Sequence, residues 1–275
     1  HPPGAPFYML VGNLFTQFAS EASQVSWLVN FLNALLSAGC ILFLFWSITR
    51  LVRSLIVNEE QNLSTIDVIV ILGSGFVGAL AYTFSDTFWF SAVEGEVYAF
   101  SSFLTALVFW MILRWQDESD SVYGDRWIIL IAYIIGLSIG VHLLNLLCIP
   151  AIVLVFYYQK YHAISFKGVA AAIVISGLLI VFILFVYIPG IADMGGWFEL
   201  LFVNVFGRPF HTGLIVFLTL TFLVLVGAIY RFRKRMLHTS LCCLLMLTVG
   251  YTTYAVVEIA GDKVSVTEFD GKNAS

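Results

Sequence analysis

Long apolar stretches, separated by short polar segments, follow one another along almost the whole chain. Each has close to the 20 residues, or more, that an α-helix needs to cross the hydrocarbon core of a bilayer. In chain order the stretches are 25–46, 66–84, 97–113, 127–158, 168–188, 213–230 and 237–257. This pattern predicts an all-α, polytopic membrane protein.

The stretch 127–158 is too long for one straight span and too short for two full ones. Positive charges decide between these alternatives, because short cytoplasmic loops are enriched in lysine and arginine. If the stretch forms a short helical hairpin that turns near residues 142–145, ten of the 13 basic residues fall on one side. We therefore predict about eight crossings, two of them short, with the N-terminus and the loop 85–96 on the periplasmic or lumenal side.

Residues 5–20 are apolar, but the stretch is short and interrupted. Pro2 and Pro3 precede it and Pro6 lies at its start, and these three prolines fix an extended, rigid entry into the helix that follows. This segment predicts an interfacial or re-entrant helix. The domain organisation expected from these patterns is an outer-face loop with an interfacial helix at 1–24, a transmembrane core at 25–257 and a polar tail at 258–275.

Composition restricts the class of protein further. Hydrophobic residues make up 60% of the 275 residues, charged residues make up only 11%, and the mean hydropathy is +0.96. So few charged side chains cannot coat a soluble domain of this size. Nucleic-acid binders, cytosolic enzymes and disulfide scaffolds are therefore excluded. The net charge of −4 is too small to indicate a partner.

One motif within the span 66–84 invites a misleading interpretation. Residues 73–78 match the GxGxxG fingerprint of dinucleotide-binding proteins. That fingerprint requires a preceding strand, whereas these glycines lie inside a predicted membrane helix. We expect them to allow close packing of helices.

The loop 85–96 carries the most informative polar residues. Asp86, Glu94 and Glu96 lie among aromatic residues at the mouth of two spans, where a carboxylate is costly unless it is solvated, paired or metal-bound. The functional interpretation is acid–base chemistry, or binding of a divalent cation or of sugar hydroxyls. The alternative is a solvated loop with aromatic anchors at the interface.

Two further segments on the predicted outer face carry candidate binding residues. His142 and Asn145 lie at the tip of the short hairpin and, three residues apart, would share one helical face. The predicted loop 189–212 contains an interfacial helix at 197–206 and the basic residue Arg208. Arg208 could pair with a lipid phosphate or simply extend to the interface. His142 could equally be a structural histidine.

Several ordered motifs together resemble the bacterial protein O-mannosyltransferase-like membrane proteins, a family once catalogued as a domain of unknown function. That family is similar to the eukaryotic lumenal O-mannosyltransferases of the GT-C superfamily. The resemblance spans most of residues 1–257. The motifs that carry it are His1-Pro2-Pro3-Gly4-Ala5-Pro6, the long span that ends at Arg50, the segment 88–99 and the segment 136–147.

The resemblance implies a GT-C-like membrane glycosyltransferase of the bacterial inner membrane with its active face in the periplasm. Such an enzyme transfers a sugar from a polyprenyl-phosphate carrier to an acceptor, here a protein serine or threonine or a glycan. No nucleic acid is expected as a partner. Carried over residue by residue, and joined by Arg208 from the loop 189–212, the substrate-binding candidates are His1, Glu94, Glu96, His142, Asn145 and Arg208.

The family pattern also places an acidic motif, after a first span, upstream of the His-Pro-Pro residues. We therefore expect the catalytic aspartate to lie before His1 and the chain to be an N-terminally truncated fragment. Two alternatives remain open, namely a transporter or flippase without group-transfer chemistry and a non-catalytic membrane subunit. Transporters usually show internal repeats with ionisable residues at mid-membrane, and neither feature is evident in this sequence.

Overall fold

The structure is a computed structural model that describes residues 5–56, 63–118, 121, 123–161 and 164–253. Within these ranges the chain is almost entirely helical and contains no strand. A 3-10 helix at Leu143–Cys148 precedes α7, and π-helical turns at Ile183–Tyr187 and Leu201–Val205 flank α9. The α-helices are α1 (Pro6–Thr16), α2 (Ala22–Ile56), α3 (Thr65–Thr83), α4 (Asp86–Val93), α5 (Val97–Glu118), α6 (Asp125–Ile139), α7 (Ile149–Lys160), α8 (Phe166–Phe182), α9 (Ile188–Leu200), α10 (Thr212–Arg231) and α11 (Arg235–Tyr251).

The helices have the lengths and apolar surfaces of membrane spans. Six helical segments of the described chain are long and apolar enough to cross a bilayer: Ala22–Ile56, Thr65–Thr83, Val97–Glu118, Leu143–Lys160, Phe166–Val205 and Thr212–Arg231. α6 and α11 are shorter apolar helices at two further predicted positions. Many large apolar side chains on these helices face outwards, as lipid-facing surfaces require. The all-α, polytopic membrane fold is therefore confirmed.

The stretch 127–158, where we predict a short helical hairpin, contains a break in the helix. α6 ends at Ile139, and the 3-10 helix begins at Leu143. The carbonyl oxygen of Gly140 accepts a hydrogen bond of 2.8 Å from the backbone N–H of Phe7. The start of α1 thus binds the break directly, since Phe7 is its second residue.

Residue contacts divide the chain into two compact units. Among the described residues, the first unit comprises everything up to Asn145 together with 250–253, and the second comprises Leu146–Val249. In the first unit α5 is central. Its residues Ala99, Val108 and Ile112 are almost completely buried, and it packs against α2 and α6, while α2 also contacts α1 and α3.

Ion pairs and an indole hydrogen bond join the C-terminal parts of α2 and α5 to the first turn of α6. Arg50 of α2 forms a bidentate pair with Asp117 of α5, in which Nε lies 2.7 Å from Oδ2. Glu118 pairs with Arg114 one turn earlier in α5 and accepts a 2.8 Å hydrogen bond from the indole Nε1 of Trp127 in α6. These contacts fix the three helices at the end of the first unit where α5 terminates.

Two of the three glycines of the GxGxxG motif, Gly75 and Gly78, have the packing role expected from the sequence. They lie within α3, whose described neighbours are helices. A Cβ atom on Gly75 would lie 2.5 Å from Cγ2 of Thr49, and one on Gly78 would lie 2.5 Å from Cδ1 of Ile48. Both neighbours belong to α2, so the two glycines let α3 approach α2 closely.

We expect Gly75→Leu to lower the free energy of unfolding by about 1–3 kcal/mol, because the added side chain overpacks the contact with Thr49 and Phe45. Gly73→Leu is the matched control, since a Cβ at Gly73 meets no atom within 4 Å. Thermal unfolding of the purified protein in detergent measures both. Equal destabilisation by the two substitutions would contradict the packing role.

The prediction of a loop at residues 189–212, in the second unit, is wrong in its bounds. α8 continues through a π-helical turn into α9 and on to Val205, so only residues 206–211 are non-helical. Pro189 is the second residue of α9, directly after the π-helical turn. Proline is tolerated there because the first turn of a helix does not use its N–H groups. The predicted helix at 197–206 is present, as part of this longer helix.

Candidate functional site

Glu94, Gly95 and Glu96 form a short non-helical segment between α4 and α5, which we call the 94–96 segment. Glu94 ends α4 with an extended backbone, at φ −100° and ψ 141°. The backbone N–H of Glu96 donates a 2.8 Å hydrogen bond to the carbonyl oxygen of Glu94. Both glutamate side chains are exposed, so their carboxylates are open to a substrate.

Asn33 holds this segment from the interior of the protein. It lies within the apolar helix α2 and is completely buried. Its side-chain Nδ2 donates to the carbonyl oxygens of Glu94 and Glu96, the latter at 3.0 Å, and lies 3.3 Å from the hydroxyl of Tyr8 in α1. One amide group therefore joins α1 and α2 to the acidic segment.

Gly95 completes the contact between the segment and α2. A Cβ atom at Gly95 would lie 3.1 Å from Cγ1 of Val29 and 3.5 Å from Oδ1 of Asn30. The backbone therefore rests directly on α2 at the position that lies between the two carbonyl groups bound by Asn33. The segment is held by its backbone, which leaves both glutamate side chains available for other contacts.

Tyr8 places α1 next to the same segment. The residue is only 7% exposed. Burial raises the pKa of the Tyr8 hydroxyl, the hydrogen bond with Asn33 acts in the opposite direction, and the negative charge of Glu96 raises it further. The hydroxyl is therefore uncharged at neutral pH.

His142 approaches the site from the break after α6. Its ring centroid lies 5.9 Å from that of Tyr98, which is two residues after Glu96 in the first turn of α5. Its Nδ1 accepts a 3.1 Å hydrogen bond from the backbone N–H of Leu144. A neutral imidazole whose Nδ1 accepts carries its proton on Nε2. Nε2 is therefore a hydrogen-bond donor.

A small hydrophobic core supports these polar groups. Tyr8, Phe100, Leu104 and Val141 are buried against one another, and the rings of Phe7 and Phe100 are 5.3 Å apart. α1, the start of α5 and the break after α6 thus meet at one end of the first unit. This shared packing explains why residues distant in sequence reach the same site.

The structure brings together three of the residues predicted from the sequence, namely Glu94, Glu96 and His142. Asn145 is completely buried in the 3-10 helix, whereas His142 precedes that helix and is partly exposed. Arg208 is exposed in the second unit, between α9 and α10. His1 lies outside the described residues. Among the described residues, no group of three or more histidine, cysteine, aspartate or glutamate side chains could hold a metal ion.

Sequence reasoning missed Asn33 and Tyr8. A signal for Asn33 was present, because a polar side chain inside the apolar stretch 25–46 is costly unless it makes hydrogen bonds within the protein. Tyr8 gave no such signal, since a tyrosine in an interfacial helix is common at the membrane surface.

Comparison with known proteins covers the part of the chain that forms this site. Residues 1–165 match the family described as the protein O-mannosyl-transferase TMEM260 N-terminal domain. The chain belongs to this family. Among curated proteins, the TMEM260 family member of Dictyostelium discoideum, "Protein O-mannosyl-transferase tmem260", is 22% identical over 112 residues. That match covers 40% of the chain and only 12% of the relative's length. No solved structure matches the chain significantly.

Proposed function

We propose that the chain forms part of the membrane core of a glycosyltransferase of the GT-C type that resembles protein O-mannosyltransferases. It transfers a sugar from a polyprenyl-phosphate carrier to a protein serine or threonine on the periplasmic or lumenal face. The observation that carries this proposal is that the match to the TMEM260 N-terminal domain, residues 1–165, contains every residue of the site around Asn33. A donor borne on a lipid also suits an integral membrane protein.

The proposed reaction exchanges one bond of the sugar for another. The acceptor hydroxyl oxygen attacks the anomeric carbon, the bond from that carbon to the carrier phosphate breaks, and a carboxylate takes the hydroxyl proton. General-base assistance of this kind contributes roughly 10²- to 10⁴-fold. The resemblance assigns that base to a separate acidic motif, so we assign the glutamates of the 94–96 segment to substrate binding.

Glu96 has the properties that binding of a hydroxyl group requires. Its carboxylate is exposed, while its backbone is fixed by Asn33 through the 3.0 Å hydrogen bond to the carbonyl oxygen. An ionised carboxylate is a strong acceptor for the hydroxyl groups of a sugar or of a serine or threonine. Glu94 is held in the same way and offers a second acceptor.

His142 supplies the complementary donor. Because its Nδ1 accepts from Leu144, its Nε2–H can donate to a phosphate oxygen of the carrier. Arg208, in the second unit, stays a prediction from the sequence, on the chemical ground that guanidinium groups bind phosphate in a bidentate manner. The roles of His1 and Asn145 stay predictions from the resemblance.

We expect Glu96→Gln to lower sugar transfer by roughly 10- to 100-fold, since a hydrogen bond to a charged group contributes about 1.5–3 kcal/mol. The assay uses membranes that contain the full product of the gene, with a polyprenyl-phosphate sugar and a serine/threonine peptide. Asp86→Asn is the matched control. Asp86 lies in the first turn of α4, where a negative charge stabilises the helix N-terminus.

Two outcomes of this assay would contradict the proposal. Complete absence of transfer with the parent protein would contradict the proposed catalytic function and would favour a transporter or a non-catalytic subunit. Transfer that is equal in the parent and in Glu96→Gln would leave the enzyme in place but remove Glu96 from the site. A similar loss in Asp86→Asn would mean that the effect follows the charge of the whole surface.

A further inference from the structure

A second polar site lies in the turn that joins α10 to α11. α10 ends at Arg231, and α11 begins at Arg235. The turn and the first residues of α11 line an open cavity of about 440 Å³, formed by Arg231, Phe232, Arg233, Lys234 and Leu237. Three cations and two apolar side chains therefore face the same space. We call it the basic cavity.

The positive charge of this cavity is not balanced by the residues of its unit that the structure describes. Residues 146–249 contain seven lysine and arginine residues but only two carboxylates, Asp193 and Glu199. Glu199 binds backbone N–H groups at the start of α10. The 20 residues of α10 place its two ends roughly 30 Å apart. Glu199 is therefore too far from the basic cavity to balance its charge. Among the described residues, Arg231, Arg233 and Lys234 form no ion pair.

A fourth cation and several aromatic rings adjoin the cavity. Nζ of Lys160, the last residue of α7, lies 3.4 Å from the sulfur of Met236, next to the lining residue Leu237. The guanidinium of Arg233 lies 5.0 Å from the ring centroid of Tyr230. Aromatic residues and basic residues with long apolar stems are typical of the level of lipid headgroups in a membrane.

The position of the cavity selects among possible anions. α10 is long and apolar enough to span the bilayer, so its C-terminal end lies at a membrane surface whichever way the chain is oriented. The lining combines guanidinium and ammonium groups, which bind phosphate, with Phe232 and Leu237, which suit acyl chains near the glycerol. A soluble anion would contact only the guanidinium and ammonium groups, and it would leave Phe232 and Leu237 without a role.

We propose that the basic cavity binds the phosphate headgroup of an anionic phospholipid, at a site separate from the 94–96 segment and independent of sugar transfer. The bound lipid supplies the negative charge that the unit lacks, and it links the ends of α10 and α11. Each basic residue near an anionic membrane surface contributes roughly fivefold to binding. Removal of three such residues is therefore expected to weaken binding on the order of 100-fold.

The test titrates the purified chain in detergent with phosphatidylglycerol and follows the midpoint of thermal unfolding. Phosphatidylglycerol is expected to raise the midpoint at concentrations where phosphatidylcholine does not. The triple variant R231Q/R233Q/K234Q is expected to need on the order of 100-fold more lipid for the same rise. Arg53→Gln removes one positive charge outside the cavity, at the end of α2, and is expected to respond like the parent.

A second variant distinguishes binding in the basic cavity from attraction by general surface charge. Leu237→Trp keeps every cation and fills the cavity, and it is expected to weaken the response to phosphatidylglycerol at least tenfold. A parent-like response of Leu237→Trp, or an equal loss in Arg53→Gln, would overturn the proposal in favour of general surface charge. An equal rise in the midpoint with inorganic phosphate alone would overturn it in favour of a soluble anion.

Discussion

Replacing Asn33 by alanine is expected to lower sugar transfer on the order of 100-fold, because a displacement of about 1 Å in a substrate-binding group can have an effect of that size. The substitution removes the amide that donates to the carbonyl oxygens of Glu94 and Glu96. The glutamates themselves stay in the protein, but their backbone is no longer held. Amide hydrogen exchange at residues 94–97 should increase together with the loss of transfer.

Asn204→Ala is the control for this prediction. Asn204 has the same side chain, but it is exposed in the π-helical turn Leu201–Val205 of the second unit. We expect its exchange rates and its transfer activity to match those of the parent. Unchanged exchange at residues 94–97 in Asn33→Ala would show that the segment is held by other contacts. Faster exchange with unchanged transfer would instead separate the segment from the reaction and contradict the proposed role of Glu96.

The spans could be predicted from the sequence because hydrophobic length is a local property. The break near residue 140 was also predictable, since the stretch 127–158 has an unusual length and the basic residues decide its path. Helix partners are a different matter. The contact of Gly75 with Thr49 depends on which faces of two helices meet, and a periodic apolar sequence offers several equivalent faces.

The candidate site was only partly predictable for a related reason. Glu94, Glu96 and His142 stand out because charged or titratable residues are rare in this chain. Their common location depends on Asn33 and Tyr8, whose importance arises from contacts across 25 and 61 or more residues of sequence. Such contacts follow from the packing of α1, α2 and α5 and leave no pattern in any one of them.

The region 189–212 shows how a local signal can mislead. Pro189 and the glycines at 190, 195 and 196 indicate a loop, yet α9 runs through them. The π-helical turn before Pro189 accommodates the ring, and Gly195 is buried with a Cβ position only 3.1 Å from Cδ1 of Leu214. Gly195 therefore serves a helix–helix contact between α9 and α10 rather than a change of chain direction.

Glu199 stabilises the corner between α9 and α10. Its carboxylate lies at the end of α9 and accepts hydrogen bonds from the backbone N–H groups of His211 and Leu214, the latter at 2.9 Å. These groups belong to the N-terminus of α10, where an anion is favoured by the helix dipole. Gly213 allows the approach, because a Cβ there would collide with the backbone of Phe198 and Glu199.

Glu199→Ala is expected to lower the free energy of unfolding by about 2–4 kcal/mol, since it removes two charge-assisted hydrogen bonds and a favourable charge at the helix end. Glu199→Gln keeps one acceptor oxygen and should lose about half as much. Asp193→Ala is the control, because Asp193 is the other carboxylate of residues 146–249 and is exposed on α9. Thermal unfolding in detergent measures all three. If Asp193→Ala is as destabilising as Glu199→Ala, the effect comes from the charge of α9 and the corner does not depend on Glu199.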